Sequence, residues 1–173
     1  DNLKTTSEKI LETVAWAQAN QKKAICFVTG VPGAGKTLAG LRVTHDPKLR
    51  GEDRAAGTFL SGNGPLVEIL KAALSRDHRA RTGKALNQSE RLTHFIENVH
   101  SFIRFYHEDH PDQKPSNNVA VFDEAQRAWD ADKQRKKFGR DISEPEMMLS
   151  IMDRHDWAVI VALVGGGQEI HDG

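Results

Sequence analysis

The chain has 173 residues, 38% hydrophobic and 28% charged, a composition that supports a folded domain with its own core and excludes a disordered or fibrous chain. Lysine plus arginine and aspartate plus glutamate each number 24, so the formal net charge is zero and gives no global electrostatic case for nucleic acid. The single cysteine, Cys26, excludes an intramolecular disulfide and a cysteine-rich zinc site, and fits a reducing, cytoplasmic setting.

The opening residues carry no early apolar stretch, so no signal peptide is expected, and the absence of an initial Met points to an excised segment of a longer protein. Residues 6–19 place Ile10, Leu11, Val14 and Ala17 at helical spacing, with Thr5 and Glu8 as a capping box at the start. Ala24-Ile25-Cys26-Phe27-Val28-Thr29 is an apolar, β-branched and aromatic run that reads as a buried strand. The next eight residues, Gly30-Val31-Pro32-Gly33-Ala34-Gly35-Lys36-Thr37, fit G-x-x-x-x-G-K-[ST] at every fixed position. Backbone N–H groups of such a loop converge on the β- and γ-phosphates, the lysine reaches the same oxygens, and the threonine hydroxyl ligates Mg²⁺. Leu38 opens a helix over 38–44, and strand, glycine loop and helix together set a helix N-terminus against an anion. Gly30 through Leu38 are therefore the candidate nucleotide-binding residues, with Lys36 also a catalytic candidate and Thr37 a metal ligand.

Residues 57–61 read as a second short strand, and Gly64-Pro65 starts a helix reaching Leu74, with Leu66, Ile69, Leu70 and Ala73 on one face. Residues 76–88 read as a polar loop, and 89–107 as one or two helices turning Leu92, Phe95, Ile96, Val99, Phe102, Ile103 and Tyr106 inward. His107, Asp109 and His110 read as a solvated helix end rather than a metal site.

Val119-Ala120-Val121-Phe122 reads as a third buried strand that delivers Asp123 to its carboxyl end, where open α/β sheets bind ligands. Asp123 is the candidate carboxylate acting through water on the Mg²⁺ that also contacts Thr37. Glu124, one residue on, faces differently and can take a proton from the attacking water. This acid pair favours hydrolysis over transfer to a small acceptor. The guanine-reading motif Asn-Lys-x-Asp is absent, which leaves adenine as the default base, with Gln18 or Gln21 as candidates to read it. Arg127 is near the site in sequence, and Trp129 could stack on a base or pack beside the sheet.

Residues 129–142 read as an exposed excursion carrying Lys133, Arg135, Lys136, Lys137 and Arg140 with no acid between them. Arg76, Arg79, Arg81 and Lys84 form a second basic stretch; solvated loops and a track for a phosphate backbone both fit. Ser143-Glu144-Pro145-Glu146 is a strong helix start, and that helix extends to about Arg154. Residues 157–164, the longest apolar run and far too short to span a bilayer, read as a fourth strand. It ends in Gly165-Gly166-Gly167-Gln168, where the Gln168 amide is a candidate γ-phosphate sensor and a tight turn is the alternative. Apolar strands alternating with helices argue for one α/β domain over residues 1–173, a parallel sheet with helices on both faces.

Taken together, Gly30 to Thr37, Ser61 to Leu66, Asp123 to Gln126 and Gly165 to Gln168 resemble motifs I, Ia, II and III of superfamily one and two helicases. The phrases FLSGNGPLVEIL, NVHSFIRFY, VFDEAQRAWD and ALVGGGQEIHDG resemble more closely the Schlafen group 3-like DNA/RNA helicase domain, over about 24–173. The resemblance implies a P-loop NTPase with a RecA-like three-layer sandwich, using ATP and Mg²⁺, in which the 157–164 strand lies between the phosphate-loop strand and the Asp123 strand. It also implies that Gln168 lands beside the γ-phosphate and that Ser61, Gly62 and Asn63 touch a DNA or RNA backbone. Two departures stand out: Gly165 to Gln168 is one residue shorter than the usual Gly-Asp-x-x-Gln and lacks its aspartate, and the chain ends just after this motif. The arginine finger belongs to a second RecA-like domain expected in cis, and its contribution of ~10³–10⁵ implies slow hydrolysis by this domain alone. The competing expectation is a nucleotide-driven switch acting on a protein partner in regulation or defence.

Overall fold

The computed structural model describes residues 2–46, 57–83, 96–128 and 130–165. Five strands, β1 (Lys23–Gly30), β2 (Thr58–Ser61), β3 (Ile96–Asn98), β4 (Val119–Asp123) and β5 (Ala158–Gly165), form one sheet in the order β1-β5-β4-β2-β3. Every pairing is parallel, and β5 lies between β1 and β4, as the resemblance implies. The helices are α1 (Asn2–Asn20), α2 (Lys36–Thr44), α3 (Gly64–Thr82), α4 (Val99–Ile103), α5 (Ala131–Phe138) and α6 (Glu144–Met152).

Two hydrophobic clusters make the three layers. Successive strand residues point to opposite faces, so Val119, Val121, Val159, Val161 and Leu163 pack with Ile10, Val14, Val43 and Val67 of α1, α2 and α3. Ala120, Phe122, Ala158 and Ile160 face the other way, against Val99, Phe102 and Ile103 of α4 and Met147, Met148 and Ile151 of α6. Gly40 lets α2 lie unusually close to the sheet: a Cβ there would sit 2.7 Å from Val121 Cγ1 and 2.9 Å from Leu163 Cδ1. Helix propensity disfavours glycine at this mid-helix position, and the close approach explains why one stands there.

Several expectations are corrected. The first helix begins at Asn2, so Thr5 lies inside it and does not cap it. β1 is not buried on both faces: its exposure alternates, leaving Ile25 47% and Phe27 70% exposed, with Ile25 lining a groove shared with Leu149 of α6. The helix that starts at Gly64 does not end at Leu74. It continues through Thr82 to a left-handed Gly83, because 76–82 are polar but contain no helix breaker. Among the described side chains of α3 Val67 is the buried one, while Ile69 is 63% exposed. Ile96–Asn98 is a strand rather than helix, although Val99, Phe102 and Ile103 are buried as expected. The excursion over 129–142 contains α5, and α6 ends at Met152. The capping box on α6 forms as read: Ser143 accepts from the Glu146 N–H, and Glu146 reaches back to the Ser143 N–H at 3.0 Å.

Candidate nucleotide site

The glycine loop leaves β1 at its carboxyl end and runs into α2. Gly35 is the residue before the helix and sits at φ 83°, a left-handed conformation that glycine adopts without steric cost. Lys36 folds over its own loop, donating from Nζ to the carbonyls of Gly30 at 2.8 Å and Val31 at 3.0 Å. Thr37, the second residue of the helix, donates from Oγ1 to Asp123 Oδ1 at 3.1 Å, although 86 residues separate the two. Val31 and Leu38 are exposed at the rim, 70% and 56% respectively.

Asp123 is the last residue of β4 and is buried. Burial pushes its carboxyl above the usual aspartate range; the Thr37 hydroxyl pulls it back down, and the neighbouring Glu124 charge raises it further. The chain then turns sharply. Glu124 takes φ 52°, ψ 43°, a conformation that costs a non-glycine residue on the order of 1 kcal/mol and recurs at functional sites. That turn separates the two adjacent carboxylates. It leaves Asp123 toward Thr37 and sends Glu124 toward Gln126, whose Nε2 donates to Glu124 Oε2. Gln126 Oε1 accepts from the Gly165 N–H at 2.8 Å, so one amide joins the acid to the carboxyl end of β5. Arg127 Nε lies 3.6 Å from Glu124 Oε2, which answers where that arginine points.

A cavity of about 450 Å³ opens beside these groups and extends from Thr37, Asp123 and Glu124 to Ser61, Gly62 and Asn63. Ser61 is buried, and its Oγ accepts from the Asn63 N–H at 3.2 Å; Asn63 in turn caps α3, accepting from the Leu66 N–H at 3.2 Å. The α3 N-terminus therefore offers fewer donors to a phosphate than its sequence suggests: Pro65 has none and Leu66 uses its own. The far wall holds an imidazole–carboxylate contact that local sequence does not signal: His100 Nδ1 lies 2.6 Å from Glu144 Oε1, and the Glu144 side chain is only 2% exposed. Arg127, His100 and Glu144 all line this cavity.

Gln18 and Gln21 do not join the site. They precede β1, at the opposite end of the strand from the glycine loop, roughly 25 Å away at about 3.3 Å per strand residue. Gln168, Trp129 and Lys84 lie outside the described residues, so the geometry bears on none of them. Among the described residues no cluster of three or more His, Cys, Asp or Glu side chains forms a metal site, and the His110 ring stacks on Phe105. No helix of the described residues is long and apolar enough to cross a membrane.

A five-stranded parallel sheet between two helical layers, with the glycine loop and Asp123 meeting at its carboxyl edge, is a RecA-like α/β domain. The chain belongs to the family described as Schlafen group 3, DNA/RNA helicase domain, whose model matches residues 23–173. None of the curated proteins compared with it matches.

Proposed function

We propose that this chain is the first motor domain of a helicase-like protein, binding ATP with Mg²⁺ and hydrolysing it to act on DNA or RNA. The observation that carries the reading is the Thr37–Asp123 contact at 3.1 Å, which brings the glycine-loop hydroxyl and the β4 carboxylate to one point. Both groups are oxygen donors, the ligand type that Mg²⁺ selects, so the residues present fit that ion, with Asp123 acting through a bound water. When bound, the ion would neutralise charge on the triphosphate.

The chain's own residues supply the rest. Gly30 to Leu38 cradle the phosphates, and Lys36 exchanges its two carbonyl contacts for phosphate oxygens. Glu124 takes a proton from the attacking water, held in place by Gln126. Gln168 follows β5 within a few residues and reports the γ-phosphate state. Ser61, Gly62 and Asn63 contact the nucleic-acid backbone on the far side of the shared cavity. A second RecA-like domain in cis contributes the arginine, and the protein works in the cytoplasm.

The test is ATP hydrolysis by the full-length protein with and without nucleic acid. Stimulation by DNA or RNA is expected, and its absence with every single- and double-stranded substrate overturns the motor reading. The zero net charge favours a second reading, a nucleotide-driven switch on a protein partner. A strong salt dependence of nucleic-acid binding counts against that alternative.

A further inference from the structure

We infer that Arg127 is a positioning residue for hydrolysis: together with Gln126 it anchors one oxygen of the Glu124 carboxylate and leaves the other to take the proton from water. The inference rests on the hydrolytic reading proposed above and adds to it the charged group that orients the base. Two donors converge on the same atom. Glu124 Oε2 accepts from Gln126 Nε2 and lies 3.6 Å from Arg127 Nε. Among the described residues no hydrogen bond falls on Glu124 Oε1.

The local fold makes this convergence possible. Glu124 stands in the left-handed region, and the short turn that follows it, Ala125–Arg127, is closed by the Arg127 N–H, which donates to the Glu124 carbonyl at 2.8 Å. That turn brings the Arg127 side chain back within reach of the acid three positions earlier. Gln126 is held from outside the turn, by the Gly165 N–H at the end of β5. The amide therefore has a fixed direction of its own, and the guanidinium is the second, charged arm. The cavity beside them carries three carboxylates among its described lining residues, those of Asp123, Glu124 and Glu144, and one guanidinium, that of Arg127. Asp123 accepts from the Thr37 hydroxyl, and Glu144 meets His100 at 2.6 Å. Arg127 meets Glu124, the acid assigned to the attacking water. The two side chains are 53% and 43% exposed, and a pair this exposed adds little to stability. What it supplies is direction: it restricts a flexible carboxylate to one orientation, which a positioned base requires.

The test is a double-mutant cycle in the full-length protein, with Mg²⁺ and nucleic acid present and turnover followed as phosphate release over a range of ATP concentration. Arg127→Gln keeps a polar side chain and removes the charge. It is expected to lower kcat by roughly three- to fivefold, the upper end for an exposed ion pair. KM should stay within about twofold, the split expected of a group that acts only in the chemical step. Arg127→Lys keeps the charge and should recover most of the loss. In a Glu124→Gln background the carboxylate is gone, and Arg127→Gln should then change the residual kcat by less than about 1.5-fold. A packing role would carry the same fold-loss into both backgrounds. Wild-type kcat in Arg127→Gln, or an equal fold-loss in both backgrounds, overturns the positioning role and leaves the hydrolytic reading standing. Wild-type turnover in Glu124→Gln alone overturns both.

Discussion

Gln126 and Gly165 are joined by a hydrogen bond of 2.8 Å from the glycine N–H to the side-chain oxygen, and the same amide donates to Glu124. One side chain thus ties the acid that follows β4 to the end of β5. A Cβ at position 165 would lie 2.9 Å from Gln126 Nε2, so a side chain there would push this amide aside.

Gln126→Leu should therefore reduce nucleic-acid-stimulated ATP turnover by roughly 10- to 100-fold, because a hydrogen bond to a charged group contributes about 1.5–3 kcal/mol. ATP affinity should stay within about twofold, since Gln126 does not belong to the glycine loop. Steady-state kinetics over a range of ATP concentration separate the two parameters.

Lys36→Ala should abolish nucleotide binding, as measured with a fluorescent ATP analogue. Thr37→Ala and Asp123→Asn should instead weaken the dependence of that binding on Mg²⁺, because the first removes the hydroxyl and the second the negative charge of the two groups that meet at 3.1 Å. Unchanged Mg²⁺ dependence in both variants would remove them as the metal site.

Gly40→Ala tests the packing of α2 on the sheet. Alanine gains about 1 kcal/mol of helix propensity, but its Cβ would press on Val121 and Leu163, both fully buried, and overpacking costs ~1–3 kcal/mol. A net loss is expected for alanine and a larger one for Gly40→Val. Thermal unfolding should show the melting point falling by about 2–4 °C per kcal/mol for a domain of this size.

His155 predicts a pH dependence of stability. Burial holds its imidazole below the ordinary value of 6.5, the Lys114 charge adds to this, and the Asn117 backbone opposes it. The folded state therefore resists protonation that the unfolded state accepts. The sign follows: this contribution is fully present above pH 6.5 and is lost as pH falls through the depressed value, at up to about 1.4 kcal/mol per pH unit. Denaturant unfolding of wild type and His155→Asn between pH 5 and 8 should show a shallower slope in the variant.

The parts of the site that were legible in the sequence are those with fixed local chemistry. The glycine loop, its flanking strand and helix, and the apolar run ending at Asp123 each carry their signal within a few residues. The capping box at Ser143 was legible for the same reason. What escaped was set by distance or ambiguity. The three-residue strand Ile96–Asn98 leads into Val99, Phe102 and Ile103 at helical spacing, so periodicity merged it with the helix. The polar residues of α5 and of the second half of α3 looked like loop because neither has a strong apolar face. The exposed face of β1 could not be read from an apolar run, which looks the same whether one or both faces are covered. The Gln126–Gly165 and His100–Glu144 contacts join residues about 40 apart and have no local signature.

Replacement of Glu124 tests the central claim, a hydrolytic nucleotide site at the carboxyl edge of this sheet, most directly. In the full-length protein with Mg²⁺ and nucleic acid, Glu124→Gln should bind ATP with wild-type affinity. Its turnover should fall by about 10²–10⁴, the usual contribution of a positioned general base. Turnover at the wild-type rate would contradict the assignment of Glu124 as the base and, with it, the hydrolytic reading of the site.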